Sequence, residues 1–197
     1  VIENAIKKGS GNGQTYGKNG TNMETCVYEG MGPGGIALVV EALTDNKNRT
    51  IGLVRSTFTK ASGSMTPTLF FFDKKGYVVI RPPLELDSNE DKMLETVLEI
   101  EGVEDIERLD SEEFTEEIDT YGQSVFEISS DTTMANSVAT TLKAGGFRIQ
   151  EVGMAYIPKK DMLVDVSDID VQQKIQKFLG ALDDIEEVTD IYTNMKE

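Results

Sequence analysis

The apolar residues of this chain come in short runs, and none exceeds the length of a strand. The longest, residues 36–40 and 69–72, read IALVV and LFFF. A membrane-spanning helix needs ~20 such residues in succession, so no span is expected. Short runs of this kind build half-buried strands and amphipathic helices that pack as layers. In 197 residues that gives one large domain or two small ones.

The order of these runs narrows the fold. Residues 36–43 are apolar and β-branched and read as a buried strand. Thr44-Asp-Asn-Lys-Asn supplies turn and N-cap chemistry. A helix follows to about Ala61, with Ile51, Val54 and Phe58 on one stripe, Arg55 and Lys60 on its polar side, and Arg49 in its first turn. Residues 68–72 and 77–80 read as strands joined by a hairpin turn at Asp73-Lys-Lys-Gly76. Alternation then sets Phe70 and Phe72 on one face and Phe71 on the other; one face must pack on the helices, so core packing is the plainer reading of the run and an aromatic platform for RNA the lesser one. Beyond Pro82-Pro83, a helix is expected over 88–101, burying Met93, Leu94, Val97 and Leu98. Strands over 103–109 and 123–129 precede a helix opened by Asp131-Thr132 and ended by Gly145-Gly146. A long strand over 147–157, a helix capped by Asp168 and a closing strand over 188–192 complete the chain.

The β-α-β-β order over 36–80 is two-thirds of a ferredoxin-like unit, whose missing α-β appears only at 168–192. Between them lies α-β-β-α-β, close to a second such unit. The expected fold class is therefore α+β, with two ferredoxin-like α/β sandwich domains, the second inserted into the first. The expected division is 1–27 as a helix remnant and flexible linker, 28–83 plus 161–197 as a discontinuous central domain, and 84–160 as an inserted acidic domain. Two consecutive domains are the alternative that this order permits.

At the start, VIENAIKKG reads as the last turns of a helix, with Lys7 and Lys8 suiting the C-terminal end of its dipole and Gly9 as a stop. A shortened N-terminus is expected from this, and any targeting segment would lie in the lost portion. Residues 9–27, rich in Gly, Asn, Thr and Ser, read as a linker.

Composition excludes several chemistries. There is no His, so Ser-His and Cys-His nucleophile pairs and His-containing metal sites are out. The single cysteine, Cys26, permits no intrachain disulfide and fits a reducing compartment. Net charge is −16, but unevenly placed. Residues 1–60 hold 7 basic and 5 acidic residues, whereas 61–197 hold 12 and 30. The window 85–119 alone has 16 acids and 2 bases, without metal-cage spacing, and reads as a solvated acidic face. A free-standing nucleic-acid binder concentrates Lys and Arg, so any RNA contact here needs a local basic face or a further part. No convergent acid, base or nucleophile set is visible, and neither an enzymatic activity nor a cofactor or metal is expected.

Gly30-Met-Gly32-Pro33-Gly34-Gly35 contains G-x-G-x-x-G. A dinucleotide fingerprint follows a strand and opens a helix; these glycines precede a strand, so a tight turn is the plainer reading and a backbone surface for RNA or protein the functional one. Lys47, Arg49, Arg55 and Lys60 lie close by and read either as a solvated helix face or as a basic edge for phosphates.

The run over 28–55, YEGMGPGGIALVVEALTDNKNRTIGLVR, resembles the signature of the YebC family. Phe72-Asp-Lys-Lys-Gly76, Ala155-Tyr-Ile-Pro158, Leu182-Asp-Asp-Ile185 and Ile191-Tyr-Thr-Asn194 are similar to further patterns of that family. Ser62-Gly-Ser-Met-Thr-Pro-Thr68 departs from the glycine-rich stretch that bacterial members carry there. The resemblance implies three domains: a basic helical bundle, here absent, then two α/β domains, the last inserted into the middle one. It also implies a non-enzymatic factor. Family members include bacterial proteins labelled transcriptional regulators and mitochondrial translational activators, one acting on cytochrome c oxidase subunit I. Ribosome-associated relief of stalls at proline-rich stretches is attributed to both kinds.

The expected function is thus a translation factor that associates with the mitochondrial ribosome or its RNA. The alternative is a DNA-binding transcriptional regulator. The expected binding residues are Gly30, Gly32, Pro33, Gly34, Gly35, Lys47, Arg49, Arg55 and Lys60. The partner is a ribosome, rRNA or mRNA, bound with help from the basic N-terminal domain. A monomer is expected, in the mitochondrial matrix or, alternatively, the bacterial cytoplasm.

Overall fold

The computed structural model describes residues 5–7, 22–109 and 121–196. Its backbone forms two compact units, one over 74–155 and the other over 2–73 plus 156–197. Each has an antiparallel four-stranded sheet with helices, so the protein is α+β.

The discontinuous unit is built on strands β1 (Ala5–Lys7), β2 (Glu24–Met31), β3 (Ala37–Thr44) and β8 (Val188–Thr193), in the order β1-β8-β3-β2. β2 and β3 form a hairpin in which Tyr28 lies opposite Val40 and Gly30 opposite Leu38. Alternation turns Tyr28, Leu38, Val40 and Ala42 toward helices α1 (Lys47–Lys60) and α5 (Ile169–Asp183). Val54 and Phe58 of α1 meet Ile175, Phe178 and Leu182 of α5 in that core. The Phe58 and Phe178 rings pack edge to face at 5.0 Å. Burying each such side chain stabilises the unit by about 2–3 kcal/mol. Both helices open on the caps expected from sequence. The Asn46 side chain accepts from the Arg49 N–H at 3.0 Å, and Asp168 accepts from the N–H groups of Asp170 and Val171. Asn194, 1% exposed, closes the unit. Its Oδ1 accepts from the Ala37 N–H and its Nδ2 donates to the Met162 carbonyl, both at 2.7 Å.

The continuous unit runs β4 (Phe72–Arg81), α2 (Leu84–Asp87), α3 (Glu90–Leu98), β5 (Val103–Leu109), β6 (Val125–Ser130), α4 (Ala135–Ala144) and β7 (Arg148–Pro158). Its sheet order is β5-β6-β4-β7. Val78, Ile80, Phe126 and Ile128 pack with Met93, Val97, Val138 and Leu142 in a second core.

Four local expectations are corrected. Ala5–Lys7 is a strand paired with β8, not a helix end, because the backbone finds partners on that sheet edge. Glu24–Val27, expected in a linker, belongs to β2, whose pairing with β3 begins at Glu24. The expected hairpin at Asp73–Gly76 is absent, and β4 passes straight through it. Gly76 is there for close approach, since a Cβ would stand 2.8 Å from both Ala135 Cβ and Ser130 Oγ. β4 therefore joins the other sheet and pairs with β6. Lastly, Leu98 is 52% exposed, because α3 ends there.

Candidate nucleic-acid interface

The glycine-rich turn links β2 to β3. Gly32 donates its N–H to the Ile36 carbonyl at 2.9 Å, and Pro33–Gly35 makes one 3-10 turn between them. Pro33 suits the first position of that turn, since it has no N–H to satisfy. Gly34 and Gly35 hold φ of 72° and 73°, where a Cβ is strained. The first two glycines serve packing instead. A Cβ on Gly30 would stand 2.5 Å from Phe58 Cε1 and 2.6 Å from the Ser64 carbonyl oxygen. One on Gly32 would stand 2.8 Å from Phe178 Cε1. The turn thus lets the two helices close onto the hairpin. Gly34 and Gly35 are its exposed part.

The four cations share α1 but not one patch. Lys47 pairs with Glu24 at 2.5 Å, and this carboxylate raises its pKa. Arg49 is held twice. Its Nε donates to Glu187 Oε1 at 2.9 Å and its Nη2 to Asp45 Oδ1 at 2.8 Å; Glu187 first and Asp45 second raise its pKa. Arg55 and Lys60 are exposed and form no ion pair among the described residues. At 3.6 residues per turn, Arg55 points roughly 140° away from Lys60 and roughly 120° from Arg49. The structure therefore separates two locally neutralised cations at the start of α1 from two free ones farther along. All four lie on a helix with no acidic residue.

A second exposed feature takes a form that the sequence does not announce. Leu69–Phe71 is a 3-10 turn, so the expected alternation fails there. Phe72 is buried, whereas Phe70 is 58% exposed and stacks on Phe71 with centroids 4.4 Å apart and planes 29° apart. The Glu29 carboxylate caps this turn, accepting from the N–H groups of Thr68 at 3.1 Å and Leu69 at 2.8 Å. Lys159 donates its N–H to the Phe71 carbonyl at 2.9 Å, which sets Lys159 and Lys160 beside the turn. These partners are far apart in sequence, so no local signal announces them.

Beneath the hairpin, the Tyr28 hydroxyl is buried with no hydrogen-bond partner among the described residues. Burial first, then the neighbouring Cys26 thiol and the Glu187 carboxylate, push its pKa up to about 12. Among the described residues no group of three or more Cys, Asp and Glu side chains could hold a metal ion. No described helix is long and apolar enough to cross a membrane. The described acids of the 85–109 stretch are mostly exposed; residues 110–120 lie outside the described residues.

Comparison with known proteins places this architecture. The sequence profile described as "TACO1/YebC second and third domain" matches residues 23–195. The chain is 56% identical over 198 residues to a Saccharomyces cerevisiae protein named "Probable transcriptional regulatory protein HAH1", covering 98% of this chain and 67% of that one. It is 38% identical over 194 residues to a "Probable transcriptional regulatory protein" of Lactiplantibacillus plantarum, covering 97% and 70%. Among solved structures it is similar to the conserved hypothetical protein Aq1575 of Aquifex aeolicus, with TM-score 0.68 and 29% identity. That match covers 88% of this chain and 65% of the Aquifex chain, so this chain spans just under two-thirds of it. The chain belongs to the TACO1/YebC family. It is accordingly a non-enzymatic protein, with relatives named as transcriptional regulators.

Proposed function

We propose that this chain is the two-unit part of a translation factor that docks on the ribosome or its RNA by shape and charge, without covalent chemistry. The observation that carries the reading is α1: four cations and no acid on one helix, in a chain of net charge −16. Unpaired cations on an acidic protein favour phosphate where they lie, and the surrounding acids repel it elsewhere. The exposed Gly34 and Gly35 lie on the same unit, and Arg55 and Lys60 are proposed as separate phosphate contacts on two sides of α1. Lys47 and Arg49 hold the start of the helix through their own carboxylates and contribute less free charge.

The reading extends to architecture and setting. We take the continuous unit as a ferredoxin-like sandwich inserted into the discontinuous one, whose expected β-α-β-β start is lost because β4 belongs to the other sheet. The continuous unit's β4-α3-β5-β6-α4-β7 sequence and β5-β6-β4-β7 order support this. A basic helical domain preceding these units would supply most of the affinity, and the mitochondrial matrix is the proposed compartment. The names of the relatives favour a second reading, transcriptional regulation through DNA.

Co-sedimentation separates the two. Full-length protein is expected to pellet with ribosomes at physiological salt, and Arg55→Glu with Lys60→Glu to move much of it to the supernatant. Protein that stays in ribosome-free fractions yet shifts a defined promoter fragment contradicts the translation reading.

A further inference from the structure

We infer that Phe70 and Phe71 form a stacking platform for an unpaired base of single-stranded RNA, with Lys159 and Lys160 set to meet its phosphates. This rests on the RNA reading above and assigns a site outside α1. A single exposed apolar side chain is ordinary. Phe70 differs in being held. Thr68, fully buried, donates its hydroxyl to the Leu38 carbonyl at 2.9 Å. The Thr68 and Leu69 N–H groups are fixed by Glu29, and the Phe71 N–H donates to the Thr68 carbonyl at 3.0 Å. From the other side, the Phe71 carbonyl is held by Lys159. Phe71 then backs the Phe70 ring at 4.4 Å, leaving Phe70 58% exposed. A ring presented rigidly, with a second ring behind it, loses little conformational entropy when a base continues the stack.

Charge selects the occupant. Lys159 and Lys160 form no ion pair among the described residues. The neighbouring carboxylate of Glu29 is turned onto two backbone N–H groups. The loop also carries Asp161, Asp165 and Asp168, and the Asp168 carboxylate is turned onto the N–H groups that open α5. Aromatic stacking flanked by lysines is the chemistry of single-strand binding, sequence-tolerant because every base has a π-face.

The absence of Trp from the chain provides the test. Phe70→Trp introduces one fluorophore, and a short oligoadenylate titrated into it is expected to quench the emission. Leu84→Trp, at an exposed position of the other unit, is expected to stay unquenched. By anisotropy of the fluorescein-labelled oligoadenylate, Phe70→Ala should bind roughly tenfold more weakly and Phe70→Tyr nearly as well as the parent. Equal unfolding midpoints confirm that each variant is folded. Unquenched Phe70→Trp emission, or parental affinity in Phe70→Ala, overturns the inference. So does a Phe70→Ala variant that keeps its oligoadenylate affinity but leaves the ribosome pellet, since the platform then meets protein. Ribosome pelleting by the parent without quenching sinks this site and leaves the translation reading standing. Quenching without pelleting does the reverse.

Discussion

The two units carry similar layers of sheet and helix but divide the charge unequally. Residues 74–155 hold 7 basic and 19 acidic residues, whereas the discontinuous unit holds 12 and 16. Their glycines and aromatics are also used differently. In the continuous unit, Gly76 and Gly153 admit Ala135 and the Tyr77 ring, and Phe126 and Phe147 are inside the core. In the discontinuous unit the glycines likewise admit Phe58 and Phe178, but the turn they form surfaces at Gly34 and Gly35, and Phe70 is left outside. One unit thus reads as scaffold with an acidic, solvated exterior. The other combines the same packing logic with exposed groups that packing does not need. Function is better sought in the residues left over after packing than in the motif as a whole.

This contrast can be broken at graded cost. The largest effect is expected from Gly30→Val, because even a Cβ there overlaps Phe58 and the Ser64 carbonyl. A loss of about 3 kcal/mol in urea unfolding is predicted. An unchanged midpoint would mean that the signature glycine is not a packing residue.

Next comes alkaline pH. Tyr28 is neutral when folded, with a pKa near 12 against 10.0 for the free group. Its folded value is raised, so its contribution is complete below pH 10 and is lost as pH rises toward 12. The loss is on the order of 2 kcal/mol. Tyr28→Phe should remove that part of the pH dependence and leave neutral-pH stability nearly unchanged, because the buried hydroxyl has no partner to lose. A marked destabilisation at neutral pH would reveal a partner for the hydroxyl.

Smaller still is Gly35→Ala. Nothing lies within 4 Å of a Cβ there, so only the φ of 73° opposes it, at about 1 kcal/mol. Gly35→Asn should recover part of this.

Local chemistry made much of the fold readable. Asn46 and Asp168 announce α1 and α5 because a cap is a contact over two or three residues. The glycines were readable as a turn entering a strand, and the cations as members of one helix. What failed depended on partners distant in sequence. Asp73–Gly76 has hairpin composition, yet Gly76 is required by Ala135 and Ser130, and β4 pairs with β6 some fifty residues on. β2 was hidden under linker-like composition because its pairing with β3, not its own apolarity, makes it a strand. Phe70 is exposed because Glu29 caps a 3-10 turn across 40 residues, which no alternation rule contains. The neutralisation of Arg49 by Glu187 is likewise invisible from position 49.

The central claim is that, of the two units, the discontinuous one contributes to binding through its free cations. It is tested most directly by reversing equal charge in each unit of the full-length protein and measuring co-sedimentation with ribosomes at physiological salt. Arg55→Glu with Lys60→Glu is set against Lys92→Glu with Lys143→Glu, two exposed lysines of the continuous unit that form no ion pair among the described residues. The account predicts that the first pair releases the protein from the ribosome pellet and the second leaves it there. Equal release by both pairs, or retention of the first, contradicts it.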